Sequence, residues 1–372
     1  MPLATCARTL IQVLVRARNS LAAMLLAWCR LLVASVLVTV AVLVAPSVAD
    51  AAAQKRAHFK NLGGPAPKVL ARWRVGGSPL DVALSAAGRE LYVANWGTND
   101  VSILNASNGL IIRTIPFPPT GLPPDWGEGP RAVVAAPDDI HAYVLRGRDN
   151  AVSVVNTVTG VIERTIPVGD YPVALALAPD GRHLYVGNYG YGDPKPTTTV
   201  SVVDIARHAT TGTIRVGGGP WGVAASRCGG IVAVASYLSN SLSLIDGRTS
   251  HVFKTIRVAL PESVAISPKC SLAYVMDDSH DTVVVVSLSQ RRIIRAIRVG
   301  HLPVTAIFSP DGKRAYVANY ASGTVSVIDV THSRLLRTIT VGPDPSALAL
   351  SHARRRLFVA LAHTDWVSVV AP

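Results

Sequence analysis

From residue 69 onward, apolar runs of four to six residues recur at short intervals, separated by Pro, Gly, Asp, Asn and Ser. Runs this short, rich in Val, Ile, Leu and Tyr and bounded by turn-forming residues, predict β-strands rather than helices. Several are apolar without alternation, as at 173–178 and 283–286. A strand with one wet face alternates apolar and polar positions, whereas a strand apolar throughout is covered on both sides. The pattern therefore predicts sheets stacked face to face.

The runs also repeat in a fixed order. Tyr-Val-Ala-Asn stands at 92–95 and again at 316–319, with variants beginning at Tyr143, Tyr185, Ala233, Tyr274 and Phe358. Successive copies start 51, 42, 48, 41, 42 and 42 residues apart. Each copy opens with a Pro leading into an apolar strand and an SPDG-like turn, clearest at 309–312. The Tyr-Val strand follows, then a Val-Ser-Val-Ile-Asp strand, as at 325–329, and a Thr-Ile-x-Val-Gly strand. Four short strands in such a unit make one blade of a β-propeller. The seventh copy stops at its third strand, 367–370, while a spare fourth strand, Trp73-Arg74-Val75-Gly76, precedes the first. The expected fold is all-β: a seven-bladed propeller of four-stranded blades over 69–372, closed by the N-terminal strand pairing into the last blade. Such closure leaves no long open edge between first and last blades.

These repeats resemble the YVTN-type β-propeller family, through the Tyr-Val-Ala-Asn strings, the SPDG turns and the Thr-Ile-x-Val-Gly strands, over roughly 69–372. The resemblance implies a scaffold more than a single activity. Members are mostly exported bacterial or archaeal proteins; some relatives are thought to bind nucleic acid or sit at the cell surface, and related seven-bladed propellers include lactonases. The fourth copy departs from the pattern, with Ala233 for Tyr and Cys228-Gly229 for Asp-Gly.

Ahead of the repeats, residues 1–49 carry Arg8, Arg16, Arg18 and Arg30, no acid, and a largely apolar run at 31–45. That run is short of the ~20 residues that span a bilayer as a helix. With small residues at Ser47 and Ala49 it reads as a signal peptide; an uncleaved anchor is the alternative. Residues 50–68, rich in Ala, Gly and Pro, read as a flexible linker. Export places the mature chain in the periplasm or outside the cell, as a monomer with no stable membrane span once the leader is removed. Of 4 Cys in all, it leaves Cys228 and Cys270 in an oxidising compartment, at nearly equivalent first-turn positions of adjacent blades. A disulfide between them requires Cα atoms within about 7 Å.

Composition narrows the chemistry. With 49% hydrophobic and 16% charged residues, the chain is not disordered. It has no GxSxG elbow, HExxH pair or CxxC motif, so no catalytic constellation, metal site or cofactor is expected. In a four-stranded meander the turns after strands two and four open on one face. That face gathers the residues that follow each Tyr-Val-Ala-Asn string, among them Trp96, Tyr189, Tyr237 and Tyr320. It also gathers the residues after each leading Pro, which rim the central channel: Arg131, Trp221 and Glu262, with Asp81 one step deeper and His301 nearby. Two insertions fall there too, carrying Trp126 and Tyr191. One cation, two acids and flat aromatic walls suit a small polar ligand or a protein partner. A rim of caps and packing aromatics is the plainer alternative. A lactonase-like hydrolase would use Glu262 as base, His301 as acid and Arg131 as electrophile.

The formal net charge of +13, or +9 without the four leader arginines, has a local origin. The fourth strands carry Arg113, Arg164 and Arg337 two residues before the Ile position, and Arg74, Arg215, Arg257 and Arg298 just after it. Charge on exposed outer strands blocks edge-to-edge aggregation. The same residues would form a belt attracting nucleic acid or envelope polyanions weakly, without sequence preference.

Overall fold

The structure, a computed structural model, describes residues 68–118, 129–190, 197–351, 353 and 355–372. The leader, most of the linker, and the insertion residues Trp126 and Tyr191 lie outside the described residues. Ala66–Pro372 forms one compact unit. Its described residues make seven antiparallel four-stranded sheets. Six are consecutive meanders: blade 1 at 79–116, blade 2 at 132–167, blade 3 at 172–215, blade 4 at 220–257, blade 5 at 261–298 and blade 6 at 303–340. Blade 7 joins Pro345–Ser351, Arg356–Leu361 and Trp366–Val370 to the N-terminal strand Val69–Arg74.

Burial follows strand position. The two middle strands of blade 1, Glu90–Asn95 and Asp100–Asn105, are buried on both faces. The inner strand Pro79–Leu84 is half-buried, and the outer strand Ile111–Pro116 largely exposed. This accounts for the lost alternation: a middle strand meets a neighbouring blade on each side. The core is accordingly divided into seven apolar clusters, one between each pair of adjacent blades; Tyr92, Ile103 and Ile115 of blade 1, for example, pack on Val133, Val144 and Val155 of blade 2.

The repeated polar residues have structural work of their own. The Asn ending each Tyr-Val-Ala-Asn string clasps the next strand of its blade. Asn95 Nδ2 donates to Asp100 Oδ1 (2.6 Å) and Ser102 Oγ (2.8 Å), and Asn319 Nδ2 to Thr324 Oγ1 (3.0 Å) and Ser326 Oγ (2.9 Å). The Gly of Thr-Ile-x-Val-Gly covers that clasp from the preceding blade. A Cβ on Gly169 would lie 2.3 Å from Asn188 Nδ2, so only glycine passes. The SPDG turns close with Gly181 and Gly312 donating to Ala178 O (3.0 Å) and Ser309 O (2.8 Å), both glycines at positive φ.

Ring closure is direct. Ala71 pairs with Val369, Trp73 with Val367 and Arg74 with Trp366. The Trp73 ring packs on Phe358, centroids 5.4 Å apart. Cys228 of blade 4 and Cys270 of blade 5 form a disulfide with Cα atoms 6.2 Å apart. It lies on the face opposite to the one that follows strands two and four.

Candidate ligand site at the channel mouth

Backbone geometry builds the mouth before any side chain does. In six blades the residue before the leading Pro is left-handed: Ser78, Tyr171, Gly219, Leu260, Leu302 and Asp344. Five of these are not glycine, a conformation costing roughly 1 kcal/mol or more per residue. Each turns its carbonyl to the amide just after the Tyr-Val-Ala-Asn string of the same blade. Trp96 N donates to Ser78 O (3.1 Å), Tyr189 N to Tyr171 O (3.1 Å), Tyr237 N to Gly219 O (2.9 Å) and Tyr320 N to Leu302 O (2.8 Å). The turn after strand two is thereby stitched to the segment that begins strand one, and both rows of candidate residues reach one face.

A cavity of about 440 Å³ opens there, at the inner strands. Its walls include Asp81, Arg131, Trp221, Glu262 and Tyr320, together with Ser346. Blades 1, 2, 4, 5, 6 and 7 thus each contribute a side chain.

Arg131 projects from blade 2 into space left by Gly147, where a Cβ would sit 2.9 Å from Arg131 Cδ. Its Cζ lies 5.6 Å from the centroids of both Tyr171 and Trp221. Nη1 donates to Tyr171 Oη at 3.4 Å. Trp221 is the hub: Tyr189 meets it edge-on at 4.7 Å, Tyr237 lies 6.3 Å away, and its indole N–H donates to Glu262. Burial pushes the Glu262 carboxyl up to about 7, and the nearby Asp278 adds to the rise, against the opposing pull of the Trp221 hydrogen bond and Arg131. Asp278 in turn accepts from Tyr237 Oη (3.2 Å).

Asp81 ties two blades together. Its carboxylate accepts from the Val82 amide (2.9 Å) and, across to blade 2, from the Val133 amide (2.9 Å). Enclosure by the inner strands outweighs those two bonds and raises its pKa to about 7. Tyr320 hydrogen-bonds His363 Nδ1 (3.0 Å), which also lies 3.4 Å from Asp344 Oδ2. Burial, with Asp344 adding to it, pushes the Tyr320 hydroxyl up to about 12.

Other expected members stand elsewhere. His301 is not in the cavity wall: it is exposed, with Nδ1 2.7 Å from Asp281 Oδ2, a carboxylate on the preceding blade that draws the ring outward. The grouping of Glu262, His301 and Arg131 that a hydrolase would need is therefore not assembled. Trp96 shares the face but not the cavity; Gly129 packs against its backbone. Tyr189 and Tyr237 stand behind Trp221 rather than in the wall. Tyr171 and His363 were not among the sequence candidates. Among the described residues there is no cluster of His, Cys, Asp and Glu placed to hold a metal ion, and no helix long and apolar enough to cross a membrane.

The basic belt divides in two. Arg74, Arg215, Arg257 and Arg298 are exposed, as is Arg164, although Arg74 has Asp365 within 3.7 Å. Arg113 and Arg337 are half-buried and do not belong to a free belt. Arg113 is held by the neighbouring blade, its Nη2 donating to Val158 O of blade 2 (2.8 Å). Burial, then the neighbouring Arg314, hold the Arg337 guanidinium below its ordinary pKa.

No family model matches the chain. A stretch of 107 residues is 28% identical to the uncharacterized protein YncE of Salmonella typhi, and equally to that of Salmonella typhimurium. The match covers 29% of this chain and 28% of each relative, so the chain spans under a third of their length in that comparison. A chain of Kuenenia stuttgartiensis hydrazine synthase superimposes over 84% of this chain and 98% of its own length, with a TM-score of 0.69 and 18% identity. At that identity the likeness is one of fold. The protein is a seven-bladed β-propeller with partial similarity to YncE.

Proposed function

We propose that this is an exported, non-enzymatic binding protein of the YVTN type, in which the propeller serves as a rigid ring and the mouth face takes a small polar ligand or a partner's polar side chain. One observation carries the reading: the wall of the 440 Å³ cavity brings together Arg131, Glu262, Asp81, Trp221 and Tyr320 from five blades. Polar groups converging in an otherwise apolar concavity are the ordinary signature of small-molecule sites. Trp221 is the central test. A panel of small polar compounds is screened by thermal shift against the intact protein and Trp221→Ala. A compound that stabilises the first should lose most of its effect on the second. Equal shifts in both place binding away from the mouth and end the proposal.

A second reading rests on the exposed outer-strand arginines. Weak polyanion binding through Arg215, Arg257 and Arg298 would depend steeply on salt. With about three to four phosphates neutralised, DNA affinity should fall by roughly a hundredfold between about 50 and 200 mM salt. A flat response, or an undiminished one after substituting the three arginines by Ala, removes this reading.

A further inference from the structure

We propose that the mouth cavity is built for a small zwitterion, whose carboxylate docks on Arg131 and whose ammonium docks beside Glu262, with its body against Trp221. The inference rests on the ligand-binding reading of this cavity and names the ligand class.

Arg131 is an unmatched cation. Among the described residues no carboxylate forms an ion pair with it, although it lines the cavity. Its one polar contact among the described residues is the long bond to Tyr171. The contrast with Arg146, fifteen residues on, is instructive. Arg146 too has a partnerless Nε and an aromatic ring beside it (Phe117, 5.1 Å), but its guanidinium meets Asp149 (2.5 Å) and Pro118 O (2.9 Å), an acid and a carbonyl for which Arg131 has no counterpart among the described residues. Arg131 instead has two aromatic rings beside it and polar edges left over for a planar anion. Guanidinium in that setting favours bidentate carboxylate recognition.

The other pole is acidic. Glu262 projects from blade 5, three blades round a ring of seven from Arg131, so the two stand on opposing sides of the channel. They do not form an ion pair, although Arg131 is near enough to act on Glu262 through space. Asp278 stands on the same side as Glu262. Trp221 links the poles, facing Arg131 with its ring and Glu262 with its N–H. A simple anion meets repulsion from Glu262, with Asp278 behind it, and a simple cation meets it from Arg131. A molecule carrying both charges satisfies both ends, and an ammonium gains further from an indole nearby.

The experiment uses the intact protein and free α-amino acids as probes: glycine, leucine, phenylalanine and glutamate. Each is compared with its amide, which lacks the carboxylate, and its N-acetyl form, which lacks the ammonium. Thermal shift and calorimetric titration read binding, and circular dichroism checks the folding of every variant. At least one free amino acid should bind, with both blocked forms at least tenfold weaker. Arg131→Gln and Glu262→Gln should each cost tenfold or more, Arg131→Lys less. Gly147→Ala, which crowds Arg131 without removing it, should also weaken binding, while Lys313→Gln, exposed in a first turn on the opposite face, should not. The proposal falls if no free amino acid binds, if a blocked form binds as well as its parent, or if folded Arg131→Gln keeps full affinity. Glucose and acetate are run alongside. If one of them binds and is lost in Trp221→Ala while no amino acid binds, the mouth reading stands and the zwitterion does not. If nothing binds, both fall.

Discussion

Glu262 and Asp81 are carboxyls whose ordinary values, 4.5 and 3.8, are pushed up to about 7 in the folded chain, by burial above all. The folded state therefore holds protons that the unfolded chain releases. That contribution to stability is fully present below the unfolded values and is lost as pH rises toward 7. The protein should thus be less stable at pH 8 than at pH 5 by a margin these two groups set. Glu262→Gln removes one of them: it should match the parent near pH 4 to 5 and exceed it by about 1–3 kcal/mol at pH 8. Denaturant midpoints at the two pH values check this, and an equal effect at both would place Glu262 in an ordinary, wet setting. Much of the wall was legible beforehand, because a leading Pro marks where each inner strand begins, and Arg131, Trp221 and Glu262 all follow one. Tyr171 was not, because it precedes its Pro. It reaches Arg131 through a left-handed backbone (φ 42°) that a tyrosine gives no hint of. For His301, a position along the chain does not say which neighbour captures the side chain, and Asp281 captures it.

At the level of strands and turns, repetition made the elements readable and also hid their exceptions. The first-turn glycines at 181 and 312 are left-handed, and so is Cys270, the counterpart of those glycines in blade 5. A cysteine at that position accepts an awkward backbone, and there it meets Cys228 of blade 4 across a sequence separation of 42. Sequence showed equivalent positions; it could not show that the two turns lean together, because blade spacing is set by side-chain packing between sheets. Cross-linking a loop of this length restricts the unfolded chain and is worth about 2–4 kcal/mol. The double variant Cys228→Ser and Cys270→Ser should lose that much stability against denaturant, and dithiothreitol should lower the parent to the same value while leaving the variant unmoved. An unchanged midpoint on reduction would mean the two blades are held by packing alone. The outer strands tell a similar story. Arg113 and Arg337 are half-buried while Arg164, Lys254 and Arg295, at the same position two before the buried Ile, are exposed, so the division is set by what each neighbouring blade places beside the side chain and not by strand parity.

The propeller unit is a chain of similar blades bent into a circle, so each blade is held by its two neighbours and the circle is held by its seam. Six blades are continuous in sequence; blade 7 is completed by Val69–Arg74 from the far end of the described chain. That arrangement makes ring closure the last contact available to the folding chain, with the longest sequence separation, and local pairing generally precedes distant pairing. Trp73 is its anchor, packed on Phe358 within an apolar cluster shared by blades 7 and 1. Trp73→Ala should therefore cost about 3–5 kcal/mol, the usual range for removing a large packed aromatic. Its signature should also be uneven. If the seam opens before the rest of the ring, amide hydrogen exchange should quicken most along Trp366–Val370, which pairs directly with the anchor strand, while blade 4 on the far side stays protected. Local opening of this kind gives exchange free energies below the global value. A uniform rise across all seven blades would instead mean that the ring opens only by unfolding entirely. In that case the mouth cavity, whose walls come from both sides of the seam, would keep its shape until the whole protein is lost.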